Sequence, residues 1–433
     1  MTPMTQDTPY DTLEVRPRPV REAAFWNALH QVAAYAKAHA PAWRERLAQI
    51  DTREWNGPRA LAQIPVLRKS ALLELQRASR AARGDVFGGF AAIGWGDVAT
   101  ANRPAARVFS SPGPIYEPQG TGADPWRMAR ALHAAGLRPG DLLHNSFSYH
   151  FTPAGAMFEA GAHRLGCTVF PAGVGQTEQQ VIALSELGAD AYCGTPSYLG
   201  ILLDRAEAMA TPLPRLRKAL VSGEALSAPL SRRLEASGIT AMQCYATADL
   251  GLIAYEARDC DGLVLDESVW VEILDANDQA VADGEVGEVV VTVLNRDYPL
   301  LRFGTGDLSA IVPASRTEAG RCGRTQLRIR GWLGRADEAT KIRGLFVHPQ
   351  QVRDVLRRHT QLLRARIEVS QRGHEDVMTL HCECAQPSDD LALAIQRSVR
   401  ECTKLRADVQ WHSPGDWPDD ARHIVDLRQP RAG

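Results

Sequence analysis

Four clusters of small and polar residues recur through the middle of the chain: Phe147–His150, Pro171–Gly175, Gly194–Tyr198 and Ser222–Glu224. Each ends an apolar run short enough to be a buried strand. Hydroxyls, amides and glycine backbone hold polar small molecules, and such clusters at the carboxyl ends of parallel strands form one cleft. Further on, FGTGDL at 303–308 sets Asp307 behind a glycine. A carboxylate there either caps a strand end or accepts from the vicinal hydroxyls of a sugar. YATAD at 245–249 combines an aromatic face, a hydroxyl and an acid. Ammonium chemistry has few candidates, since the lysines are Lys37, Lys69, Lys218, Lys341 and Lys404. The eight cysteines form no CxxC and no regular framework, so reduced thiols are expected.

With 49 basic against 51 acidic residues, the net charge of −2 excludes a dedicated nucleic-acid binder. The 45% apolar content is ample for a core and excludes a disordered chain. The first residues, MTPMTQDTPYDTLEV, carry neither the basic nor the apolar region of a signal peptide. No window reaches the roughly 20 apolar residues of a membrane span. A cytoplasmic protein, monomer or homodimer, is expected, with no membrane or nucleic-acid partner.

The elements that position these residues follow from periodicity. Residues 1–20, with four prolines, are expected to be an arm or a docking segment. AAFWNALHQVAAYAK carries a helical apolar stripe that Pro41 ends. From 124 to 225, helical patterns alternate with the runs DLLHN, CTVF, AYCG and KALV. That alternation predicts an α/β domain with a mostly parallel sheet covered by helices. Residues 262–333 predict an antiparallel β-subdomain, closing a large domain over 21–334. The remainder, 335–433, predicts a small α+β domain.

At this level of detail the chain resembles the phenylacetate–CoA ligase branch of the adenylate-forming enzymes. The likeness rests on six ordered stretches: GLRPGDLLHNSFSYHF, CTVFPAGVGQTEQQ, AYCGTPSYL, LVSGEALS, LLRFGTGDLS and GWLGRADEATKIRGLFVHPQQVRDVL. It implies a two-step reaction in which a carboxylic acid and ATP give an acyl-adenylate, and the thiol of CoA then displaces AMP. It implies nucleotide contacts from Gly223, Glu224, Tyr245, Asp307 and Arg335. Asp249, Asp337 and Lys341 are implied as catalytic, with Asp249 holding Mg²⁺ and Asp337 at a domain hinge. Tyr149, Phe151 and Ala154 are implied to line an apolar pocket for an aromatic or other apolar carboxylic acid.

Three departures concern phosphate. The family's flexible, hydroxyl-rich loop ends in Lys-Pro; here FSSPGPIYEPQGTG keeps Ser110, Ser111 and Gly113 but adds Pro112, Pro114 and Glu117. Proline removes amide donors, and Glu117 brings negative charge. Gly120-Thr121-Gly122 is the place for a substitute loop. In YATAD, Ala248 stands for the family's threonine and Asp249 for its glutamate. At the C-terminus, Asp420 occupies the position of a lysine, with Arg422 two places on. Some family members also carry a Cys/His cluster, of which Cys260 and Cys322 remain; two thiols make no tetrahedral zinc site, so free buried cysteines are expected. Cys382 and Cys384 alternate along one strand and are expected in a core. Two functions follow: an AMP-forming acid–CoA ligase with impaired phosphate handling, or a non-adenylating protein of this fold that binds nucleotide or acyl-CoA.

Overall fold

The computed structural model describes residues 8–96, 103–111, 114–336, 340–342, 345–347, 349–372, 375–416 and 423–427. The chain divides into two units, one of residues 1–305 and 310–331, the other of 306–309 and 332–433.

In the first unit the predicted alternation forms an eight-stranded sheet. Its spatial order is Arg328–Ile329, Leu263–Leu265, Gly251–Glu256, Thr240–Thr247, Lys218–Val221, Ala191–Gly194, Leu142–Asn145, Thr168–Phe170. The last five of these pair in parallel and the others antiparallel. Helices Ala154–Leu165, Thr177–Glu186 and Pro196–Ala208 make the crossovers. The three central parallel strands, Lys218–Val221, Ala191–Gly194 and Leu142–Asn145, are buried along nearly their whole length, which is why they read as short apolar runs.

The helix Arg18–His39 ends before Pro41, which opens the next helix, Pro41–Arg46. A second sheet joins Leu67–Arg68, Phe303–Ser309, Gly287–Val293 and Val269–Leu274; the last four residues of Phe303–Ser309 belong to the other unit. Its core takes in Phe25, Trp43, Trp55 and Phe303. The sequence predicts one antiparallel β-subdomain across 262–333, but the structure divides its strands between the two sheets. The break falls at Asp266 and Glu267, whose buried carboxylates turn to Arg127 and Arg21.

Of the two forms expected for the N-terminal segment, residues 11–16 take the docked one. Asp11 caps a short 3₁₀ turn, Thr12–Val15, and Glu14 is 1% exposed. Glu14 accepts from Arg324 Nε at 2.8 Å, Arg130 Nη1 at 2.9 Å and the Tyr255 hydroxyl at 2.9 Å. Arg130 also meets Asp11 and Asp266, and Asp266 accepts from Arg127 Nε at 2.9 Å. These charges lie inside the protein, so each depends on its partner.

The free-thiol expectation fails at one pair. Cys260 and Cys322 form a disulfide with Cα atoms 6.1 Å apart. Their separation of 62 residues hides the pairing from sequence spacing. The other six cysteines are free, and Cys382 and Cys384 lie in the core of the second unit as expected.

The second unit is α+β. Its four-stranded sheet has the order Asp408–His412, Glu375–Cys384, Leu362–Arg372, Ile424–Asp426, with helices Pro349–Arg358 and Asp389–Thr403. Ile367, Leu380, Ile395 and Val399 fill the core. Among the described residues, no helix is long and apolar enough to cross a membrane.

The buried charge cluster gives a direct test. Glu14→Ala leaves Arg324 fully buried without its carboxylate, an arrangement that destabilises by about 3–5 kcal/mol. A lower urea midpoint with unchanged denaturant slope is expected. A shift within experimental error would show that the cluster contributes nothing to stability.

Candidate active site

The loop that the resemblance assigns to phosphate is a hairpin, Arg107–Ser111 paired with Ile115–Gln119. Ser111 and Ile115 face each other across the turn, so little chain remains to wrap a ligand. The hairpin is clamped from the helix Lys69–Arg83: buried Gln76 donates to Tyr116 O and accepts from Tyr116 N–H, both at 2.9 Å. Ser111 donates to Glu117 Oε1 at 2.5 Å, which turns its hydroxyl away from any ligand. Ser110 uses its N–H on Phe151 O at 2.8 Å. Asp297, which is paired with Arg103, lies so close to Gly120 that a side chain there would collide with its carboxylate.

Asp249 is almost fully buried, and its Oδ2 accepts from Lys69 Nζ at 2.9 Å. Its Oδ1 and Glu117 Oε2 are buried without hydrogen-bond partners. Burial first, and then the charge of Asp249, push the Glu117 carboxyl from its ordinary 4.5 up to about 8. Near neutral pH it is therefore a neutral acid. Lys69 was not among the residues singled out by motif; its rarity as a lysine was the available signal.

The turn that carries Asp249 is fixed by the buried charge cluster. Arg127 Nη2 donates to Leu250 O at 2.7 Å and Leu252 O at 3.0 Å. Gly251 adopts φ +75 and sits on Trp126, where a Cβ would meet the Trp126 backbone at 2.9–3.0 Å. Thr247 Oγ1 accepts from Leu250 N–H at 3.2 Å, so this hydroxyl serves the turn.

A divalent ion finds a poor fit here. One oxygen of Asp249 is taken by Lys69, and among the described residues no three His, Cys, Asp or Glu side chains gather as ligands.

At the strand ends, Gly223 is exposed with φ +83 and Glu224 is exposed beside it. Tyr245 is half-buried. The expected acid-pocket residues share a loop: Asn145 Nδ2 donates to Tyr149 Oη and Gly155 O, both at 2.8 Å. Ala154 opens the following helix. Phe151 is 81% exposed and has φ +59, a sparsely populated conformation for a non-glycine residue, tied down through its carbonyl to Ser110.

In the second unit, Asp307 and Arg335 are antiparallel partners, and Arg335 Nη1 donates to Asp307 Oδ1 at 3.2 Å. Trp332, which the motifs did not flag, donates its indole N–H to the same oxygen at 3.1 Å. Lys341 lies on a short strand opposite Phe346. Gly113, Asp337, Asp420 and Arg422, like Pro112, fall outside the described residues.

Residues 128–293 match the family model of the AMP-binding enzymes. The phenylacetate–coenzyme A ligase of Thermus thermophilus is 28% identical across 96% of this chain and 99% of its own length. That of Pseudomonas putida is 31% identical across 59% of each. Among solved structures, an open conformation of 2-hydroxyisobutyryl-CoA ligase in complex with 2-HIB-AMP and CoA has a TM-score of 0.82 at 24% identity. The match covers 98% of this chain and 96% of that one, and it shows the shared fold.

The raised Glu117 carboxyl makes stability depend on pH. Unfolded, the group ionises near 4.5; folded, it keeps its proton to about 8. Between those values the native state binds more protons, so its contribution to stability falls as pH rises and levels off above the folded value. Glu117→Gln is expected to gain melting temperature relative to the parent over that window and to match it in acid. Difference curves from pH 4 to about 9 check this; a difference independent of pH would contradict it.

Proposed function

We propose that this chain, which belongs to the phenylacetate–CoA ligase branch of the adenylate-forming superfamily, is an AMP-forming ligase. It joins an apolar, aromatic carboxylic acid to coenzyme A and handles the phosphates of ATP weakly. The observation that carries this is the likeness to the Thermus ligase along nearly the whole of both chains. A carboxylate oxygen attacks the α-phosphorus and pyrophosphate leaves. The CoA sulfur then attacks the acyl carbon, AMP departs with the electrons of the C–O bond, and the thiol proton goes to solvent.

In this reading Gly223 and Glu224 lie along adenine, Tyr245 offers it a face, and Asp307 accepts from the ribose hydroxyls. Arg335 holds Asp307 in place. Tyr149, Phe151 and Ala154 border the acid. Arg335 beside Asp307 supports the ribose assignment, because a carboxylate bonded to a guanidinium is held in one orientation. Asp337 and Lys341 remain candidates by motif position.

The phosphate end supports weak ATP handling. Its hairpin is short, Ser111 is spent on Glu117, and Lys69 is neutralised by Asp249. Losing one donor to a developing charge slows a reaction by about 10²–10³. The same features favour a second reading, in which the protein binds AMP or a supplied acyl-adenylate and does not adenylate.

AMP is expected to raise the melting temperature by preferential binding to the native state. Asp307→Ala is expected to abolish that shift, and an unchanged shift would remove the ribose assignment. ATP is expected to bind no more tightly than AMP, with slow pyrophosphate release for every acid in an aryl and acyl panel. Ala248→Thr with Asp420→Lys is expected to raise that release. Rapid release by the parent would return it to the unimpaired ligases; none from parent or variant, with AMP still bound, would select the second reading.

A further inference from the structure

The helix Thr177–Glu186 buries one polar side chain whose hydrogen bonds all run toward the candidate acid pocket. Gln180 is 3% exposed. Its Nε2 donates to Gly173 O at 2.9 Å and Gly175 O at 2.7 Å. Its Oε1 accepts from Ser146 Oγ at 2.8 Å and pairs with His144 Nε2 at 2.9 Å. A carboxamide has two donor hydrogens and two acceptor lone pairs, and here all four are used. Because Oε1 only accepts, His144 is the donor through Nε2, which fixes its tautomer. Burial lowers the His144 pKa and keeps the ring neutral, stacked on Phe170 with centroids 5.3 Å apart.

What Gln180 restrains is a glycine loop. Gly173, Gly175 and Gln176 have φ +68, +78 and +51, so the backbone here turns through conformations that only bound carbonyls would hold in one place. Tyr198 adds a bond from its hydroxyl to Gly175 O at 2.8 Å. Gly173 N–H in turn binds Asn145 O at 3.0 Å, and Asn145 holds Tyr149 and Gly155. The loop and the Tyr149 segment thus follow two neighbouring parallel strands and are cross-linked at their carboxyl ends, where such sheets bind ligands. Val174 stands 66% exposed at the loop apex.

We propose that Gln180 is a positioning residue for acid recognition: its two amide donors hold the Pro171–Gln176 loop as a wall of the acid pocket, and Tyr198 assists. This rests on the aromatic-acid reading above. It assigns the fit of the acid to a side chain that never touches it.

The test separates the acid from the nucleotide. AMP and a non-hydrolysable phenylacetyl-sulfamoyl adenosine are titrated into the full-length parent, Gln180→Glu and Tyr198→Phe by calorimetry, so that adenylation is not needed. The parent is expected to bind the acyl analogue more tightly than AMP. Gln180→Glu keeps both acceptor contacts and loses both donors, so the analogue's advantage should fall about tenfold, the effect of one to two hydrogen bonds, with AMP affinity unchanged. Tyr198→Phe, a milder change, should lose about two- to threefold. An undiminished advantage in both variants would overturn the proposal. Equal loss of AMP and analogue would also overturn it, as general damage. If the parent itself shows no advantage, the aromatic-acid reading fails and this inference falls with it.

Discussion

A cluster of charges taken inside the first unit is held by pairing acid with base, and that constraint shapes the unit. Glu14, Arg130, Arg324, Asp266 and Arg127 form a chain of buried pairs joining segments up to 310 residues apart. An isolated buried charge is far more expensive than an exposed one, so none of these side chains can be moved independently. The consequence reaches the candidate active site. Arg127, anchored on Asp266, grips the carbonyls of Leu250 and Leu252 and so fixes the turn that presents Asp249. The position of the site acid is set by an ion cluster that begins at the N-terminal segment.

The same rule decides the chemistry around Asp249. One cation, Lys69, serves two carboxyl groups. Asp249 holds it at 2.9 Å, and Glu117 instead has the Ser111 hydroxyl and a proton. With Glu117 neutral, lysine and aspartate cancel, so no net positive charge remains among these three groups to attract a polyphosphate. Pro114, beside the hairpin strand Ile115–Gln119, offers no amide donor either. The local electrostatics, more than the loss of any single residue, distinguish this end of the site.

Periodic, local features were legible in the sequence. The crossovers from Leu142 to Val221 and the elements of the second unit follow from apolar spacing, which packing rewards directly. The ordered motifs located Asp307 beside Arg335. What stayed hidden was long-range. Lys69 and Asp249 are 180 residues apart, and Glu14 and Arg324 are 310 apart; no local pattern marks either pair. The Cys260–Cys322 disulfide and the splitting of the β-subdomain at Asp266 are of the same kind, since each depends on which surfaces the fold brings together. Gln180 was hidden for another reason: a glutamine inside an apolar helix face carries no sign of four satisfied hydrogen bonds until its neighbours are known.

The two chemical steps proposed for this chain place unequal demands on it. Adenylation must hold a triphosphate and stabilise charge that builds as pyrophosphate leaves, which requires preorganised donors around those oxygens. Thioester formation needs the adenylate held through its sugar and acyl group, with AMP as a leaving group that carries far less charge. The features that oppose phosphate binding, the Ser111 hydroxyl committed to Glu117, the short hairpin and the neutralised Lys69, act on the first step. Asp307 with Arg335, proposed for sugar recognition, and the loop held by Gln180, proposed for acyl recognition, are built from separate residues. Weakening at the phosphate end therefore leaves the groups proposed for the second step intact, and the balance between a slow ligase and a binder of adenylates rests on how much donor capacity remains around the α-phosphate.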